Sequence, residues 1–343
     1  MTATQERVCI RGDPNQIDSF VACLVAVLHA WDRPVGYDWI AGLSGVAFSP
    51  VLEPGEDCMA WWMEAGSDAR IPFLGRTLGF TVERVIRDVA WDDDARATYA
   101  NTELLPPPHE AHFARLRAAF DRGDAILLRT WPAWSVLIDW DPNLDRLEFA
   151  TVPGFEDLVA RIWGPAQAQL AYILTPIEPD IDLEESIEMA LRFGAKVAAG
   201  RGPDERLRYG AALYAAAADR MRKEVFCPFC GGNSDSCAHR TLMRMLGTQR
   251  SAPGFLNDAR DFIETTQPSH DAVDLPWQVA IDRFEAMEEL ASVYCGWADF
   301  QERWPDEAFR EALCDTFETL ADLQTEAAEA LAELAVTYAR QFA

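Results

Sequence analysis

The sequence predicts an α+β protein: an antiparallel sheet with its helices in the first half, followed by a mainly α-helical second half. Three observations carry this. Short β-rich runs alternate with helical patterns up to about residue 178. From Ala125 to Thr175 the strands are separated by turn signals such as "DPNLD" and "PG", as in a sheet of antiparallel neighbours. After "TPIEPDID" the apolar period becomes helical almost to the end. The expected domains are residues 1–178, α+β, and residues 179–343, helical, joined by that Pro/Asp-rich link.

The elements follow in order. "RVCIRG" reads as a short strand. "DSFVACLVAVLHAW", residues 18–31, reads as a buried helix that Asp18 can cap, with Cys23 in its first turns. At about 100° per residue, Ser19, Ala26, Val27 and Ala30 share the side of Cys23. "GFTVERVI" is a strand and "HEAHFARLRAAFDRG" an amphipathic helix. "AILLRTW", "WSVLIDW", "RLEFAT" and "AQLAYILT" supply the remaining strands. In the second half, Asp182 or a neighbour caps a helix running towards Gly200, and "DERLRYGAALYAAAADRMRK" forms another. Two long helices close the chain. The last carries Leu313, Phe317, Leu320, Gln324, Ala327, Leu331, Leu334 and Tyr338 at alternating three- and four-residue steps. That stripe packs within its own bundle or offers a seam for a homo-oligomer.

Composition sets the class. The chain has 343 residues, 49% of them hydrophobic and 25% charged, as in ordinary globular proteins of more than one domain. Its 30 basic and 56 acidic residues leave a formal charge of -26, which repels phosphate backbones and anionic lipid surfaces. Neither nucleic acid nor membrane is an expected partner. The start has no signal-like apolar region, and the longest apolar run is too short to span a bilayer, so a cytoplasmic protein is expected. The eight cysteines are scattered through a long chain, which favours reduced thiols over a disulfide framework.

Three of those cysteines gather in "CPFCGGNSDSCAHR". Cys227 and Cys230 form a CxxC knuckle, and Cys237 with His239 can complete a tetrahedral Cys3His site at 227–239. Zinc suits this set because it accepts thiolate and imidazole together. With no carboxylate or open position in the stretch, the expectation is a closed, structural Zn2+ that fixes the helix starting after Arg240.

The Cys23 helix and the following "RPVGYDWIAGLSGVAF" resemble the start of the butirosin biosynthesis protein H type N-terminal domain family. That family is related to the papain-like cysteine peptidases, including the double-glycine processing peptidases. The likeness continues loosely through "GDAILLRTWPAWSVLIDWD", "YGAALYAAAADRM" and "NDARDFIETT". It implies a papain-like N-terminal domain, matches Cys23 to the nucleophile, and places Gln16 or Asp18 near the oxyanion side. The sequence departs from the pattern where a histidine should take the thiol proton and an acid should orient its ring. Trp134 or Ser135 stands at the first position, and Thr151 or Val152 at the second.

No other group is an obvious replacement. His29 lies about 120° around the helix from Cys23. His109 and His112 share a helical face that is expected at the surface, although a folded-back loop would make one of them a base. His270 is in a polar loop, and His239 belongs to the metal set. Asp139 and Asp141 alternate onto one face, where they read as turn-capping groups before "PNLD" or as a carboxylate pair for acid-base work. Tryptophans 39, 61, 62, 131, 134 and 140 fill the core or line an apolar pocket. The expectation is a degenerate papain-like protein with Cys23 as a vestigial nucleophile, binding a small molecule, peptide or protein partner. The alternative is a thiol-dependent acyltransferase or amidohydrolase that uses Cys23.

Overall fold

A computed structural model describes residues 8, 10, 18–51, 70–86, 110–130, 133–141, 146–151, 170–202, 208–223, 234–266 and 274–341. Among them is a mixed α+β arrangement with one five-stranded antiparallel sheet and a C-terminal helical region. The chain divides into two compact units. The first comprises Met1–Asp13, Ser19–Val35 and Leu78–Asp180, and the second Pro14–Asp18, Gly36–Thr77 and Ile181–Ala343.

In the first unit the strands are β1 (Phe80–Ile86), β2 (Ala125–Thr130), β3 (Ala133–Asp141), β4 (Arg146–Thr151) and β5 (Leu170–Pro176), ordered β1-β5-β2-β3-β4. Their period-2 alternation gives the sheet two apolar faces. Register puts Trp134, Val136, Leu127 and Tyr172 on one face and Ser135, Leu128 and Ala171 on the other. On the first face lies α1 (Ser19–Ala30), whose Phe20 meets the Trp134 ring at 5.3 Å and the Tyr172 ring at 6.1 Å. On the second lies α4 (Glu110–Arg122), whose Leu116, Ala119 and Phe120 close over Val85, Ile126, Leu128 and Ile173. A register shift between Leu137 and Asp139 turns Trp140 into this second core. Arg33, just after α1, donates to the Gly79 carbonyl at 2.5 Å and the Ile177 carbonyl at 2.7 Å, tying the start of β1 to the end of β5.

The second unit is helical. Its early part contains α2 (Tyr37–Ser44), a 3-10 turn (Val46–Phe48) and α3 (Ile71–Leu78). Its later part contains α5 (Leu183–Ala198), α6 (Ala211–Arg222), α7 (Ser234–Thr266), α8 (Asp274–Ser292), α9 (Trp297–Arg303) and α10 (Glu307–Gln341). Asp182 caps α5 by accepting the Glu185 N–H at 2.8 Å. Helix α10 packs against α5, α6 and α8, and its whole stripe from Leu313 to Tyr338 is buried within the chain. The early elements join the same core. Phe48 meets Phe255 at 5.7 Å and Phe284 at 6.0 Å, and Gln324 donates through Nε2 to the Phe48 carbonyl at 3.0 Å. Among the described residues, no helix is long and apolar enough to cross a membrane.

Candidate functional site

Cys23 lies in the fifth position of α1 with no exposed surface. Small residues around it let the helix settle on β3: Ser19, one turn earlier on the same side, accepts the Trp134 N–H through Oγ at 2.9 Å. This contact anchors the thiol's helix at the point where the resembled family would carry a histidine. Of the two residues open for that position, Trp134 faces the α1 layer and Ser135 faces the α4 layer. The Trp134 ring stacks on Tyr172 at 5.2 Å with 15° between planes. An indole has only an N–H donor and no basic nitrogen, so it cannot receive the proton of a thiol.

The other expected groups are dispersed. His29 is exposed near the end of α1 and bonds the Val35 carbonyl at 3.2 Å. Thr151 pairs with Ser135 across the β3–β4 ladder, and Val152 lies outside the described residues. The Asp139 carboxylate accepts the backbone N–H of its neighbour Trp140 through Oδ1 at 2.8 Å, a local side-chain-to-backbone bond. The side chains of Asp141 and His112 lie outside the described residues, as do Gln16, His109 and His270. The Asp18 N–H donates to the Tyr37 hydroxyl at 2.9 Å. Of the tryptophans, Trp134 and Trp140 are core residues and Trp39 packs on Phe255 at 5.2 Å; Trp61, Trp62 and Trp131 lie outside the described residues.

Of the zinc set, Cys227 and Cys230 lie outside the described residues. Cys237 and His239 are both on α7, because that helix begins at Ser234 and not after Arg240. Its start is fixed by the Trp304 indole, which donates to Ser234 Oγ at 2.8 Å. Two residues apart on a helix point about 200° away from one another, so a regular turn does not bring Cys237 and His239 to one ion. Cys237 is buried, and His239 engages the Cys295 carbonyl through Nε2 at 3.0 Å. Burial between Trp297 and Phe300 pushes the His239 imidazole below its ordinary value, with the Cys295 carbonyl bond opposing. Among the described residues, no group of three or more His, Cys, Asp or Glu side chains is disposed to hold a metal.

One charged residue has no counterpart in the sequence reading. Arg70, directly before α3, is 6% exposed and lies against the Phe73 and Phe193 rings. Its one sequence signal is an arginine at the head of the apolar run "IPFLG". In comparison with known proteins, the chain matches no family model. It matches no curated sequence either.

Proposed function

We propose that this chain is a degenerate papain-like protein of the cytoplasm that works by binding a small molecule, peptide or protein partner, without thiol chemistry. The observation that carries this reading is Trp134: an aromatic core residue stands on the thiol's side of the sheet where a proton acceptor would be needed. The burial of Cys23 supports it further, since a nucleophile must reach a substrate carbonyl. In the second unit we propose a structural zinc ion held by Cys227, Cys230 and Cys237. His239 is the fourth member of the set, and because it lies two residues beyond Cys237 on α7 the proposal requires the helix to depart from regular geometry between them. The ion's part is to fix the chain entering α7.

The test of the binding reading is alkylation of native protein by iodoacetamide across the neutral range. Cys23 should react no faster than an ordinary thiol with a pKa of about 8.5. Rapid stoichiometric labelling that titrates well below that value would return the acyltransferase or amidohydrolase reading. For the zinc, metal analysis of purified protein should find about one ion per chain, lost on Cys237→Ser. Finding none rejects the site.

A further inference from the structure

Arg70 is a buried cation that meets no compensating anion among the described residues. Its carbonyl accepts the Leu74 N–H at 2.9 Å to start α3, while its side chain turns into the second unit's core. The guanidinium carbon lies 3.9 Å from the centre of the Phe73 ring and 4.2 Å from that of Phe193. Gly45, at φ +86°, lies so close to Phe193 that any side chain there would displace the ring. Two aromatic rings therefore lie against the guanidinium, and a ring face leaves its N–H groups still to be satisfied by acceptors. Nη2 donates to the Leu43 carbonyl, whereas Nε is buried and has no acceptor among the described residues. Among the described residues no carboxylate pairs with it, and burial alone pushes it down to about 9. It is still charged at neutral pH.

The bond to the Leu43 carbonyl needs no charge, and a neutral side chain would make it without the desolvation cost. What a ring-clamped guanidinium offers in addition is a rigid pair of parallel donors matched to an oxyanion. We propose that Arg70 is the anchor of a binding site for a small molecule bearing a carboxylate or phosphate, taken on the edge that includes Nε. The proposal rests on the reading of this chain as a binding protein and gives it a ligand class, but it does not involve Cys23. The competing source of the same chemistry is the chain itself. Residues 52–69, outside the described residues, include Glu53, Glu56, Asp57, Glu64 and Asp68.

The experiment titrates the full chain with inorganic phosphate, and separately with acetate, against chloride at fixed pH and ionic strength, following heat of binding and the unfolding midpoint. Saturable binding of one anion per chain is expected, weakened at least about tenfold in Arg70→Met and less in Arg70→Lys, which keeps charge but not the fork. Should Arg70→Met not fold, wild type and Arg70→Lys decide the matter. No saturable binding of either anion, or binding undiminished by the substitutions, overturns the site. A variant combining Glu53→Gln, Glu56→Gln, Asp57→Asn, Glu64→Gln and Asp68→Asn that binds phosphate when wild type does not would assign the edge to the chain's own carboxylate, and also overturns it. Rapid labelling of Cys23 would sink the binding reading while leaving these titrations unchanged, so the two failures are distinguishable.

Discussion

Trp134, which with Ser135 is one of two residues at the position where the resemblance implies a histidine, packs against Phe20 and stacks on Tyr172. Truncating it removes a buried ring and leaves a cavity, so Trp134→Ala should lose about 3–5 kcal/mol, read as a lower urea midpoint. Cys23→Ala removes one sulfur atom and should cost much less. A larger loss from the cysteine would mean that the thiol, not the indole, organises this contact. Gly210 gives a second case. At φ +60° and ψ −148°, it occupies a region that favours glycine, and a Cβ would run into the Ala198 carbonyl. Gly210→Ala should cost about 1–3 kcal/mol by the same measurement. The sequence marked Cys23 and its helix plainly, through an apolar run with a polar start. It could not choose between Trp134 and Ser135, because alternation defines two faces of a strand but not which face meets α1. Arg70 stayed hidden for a related reason, since its two rings come from Phe73 nearby and Phe193 far along the chain.

Five of the six β-runs read from the sequence became the five strands because their alternation and turn residues are local signals, whereas of "RVCIRG" only Val8 and Ile10 are described and neither is in a strand. The shift between Leu137 and Asp139 is not local, since a partner strand defines it, and it carries Trp140 onto the α4 side. The start of α7 was misplaced because cysteine spacing suggested a loop, whereas a distant indole anchors the helix at Ser234. Arg33 shows what such distant bonds contribute. Its two carbonyl contacts hold together the ends of β1 and β5, where Ile177 N–H also donates to the Gly79 carbonyl at 2.9 Å. Arg33→Ala should cost about 1–3 kcal/mol and speed hydrogen exchange at the Ile177 amide. An unchanged exchange rate there would show that the strand ends hold without the two bonds from Arg33 Nη1.

Across the whole molecule, the charge of -26 favours expansion, and salt should raise the unfolding midpoint by screening it. Arg222 offsets part of this locally, facing Glu311, Asp315 and Glu318 on α10, so Arg222→Gln should steepen the salt response. Alkali works through the buried thiol of Cys314. Burial foremost, and then neighbouring carboxylates against the opposing Arg222, raise it above its ordinary value near 9. The unfolded chain then ionises first, so this thiol's contribution is full below about pH 9 and is lost as pH rises through its higher native value. Cys314→Ala should flatten the alkaline fall in the urea midpoint. The division of the chain into units has a consequence for how the protein is made. Gly36–Thr77 leaves the ribosome early, yet its Gly42 and Phe48 pack against Phe255, and Gln324 bonds the Phe48 carbonyl. These residues must wait for nearly the entire chain to be synthesised before they find their core. A nascent chain stalled near residue 180 should bind chaperones through Ile40, Phe48 and Leu74, and the fragment 1–180 should stay soluble only when 181–343 is co-expressed.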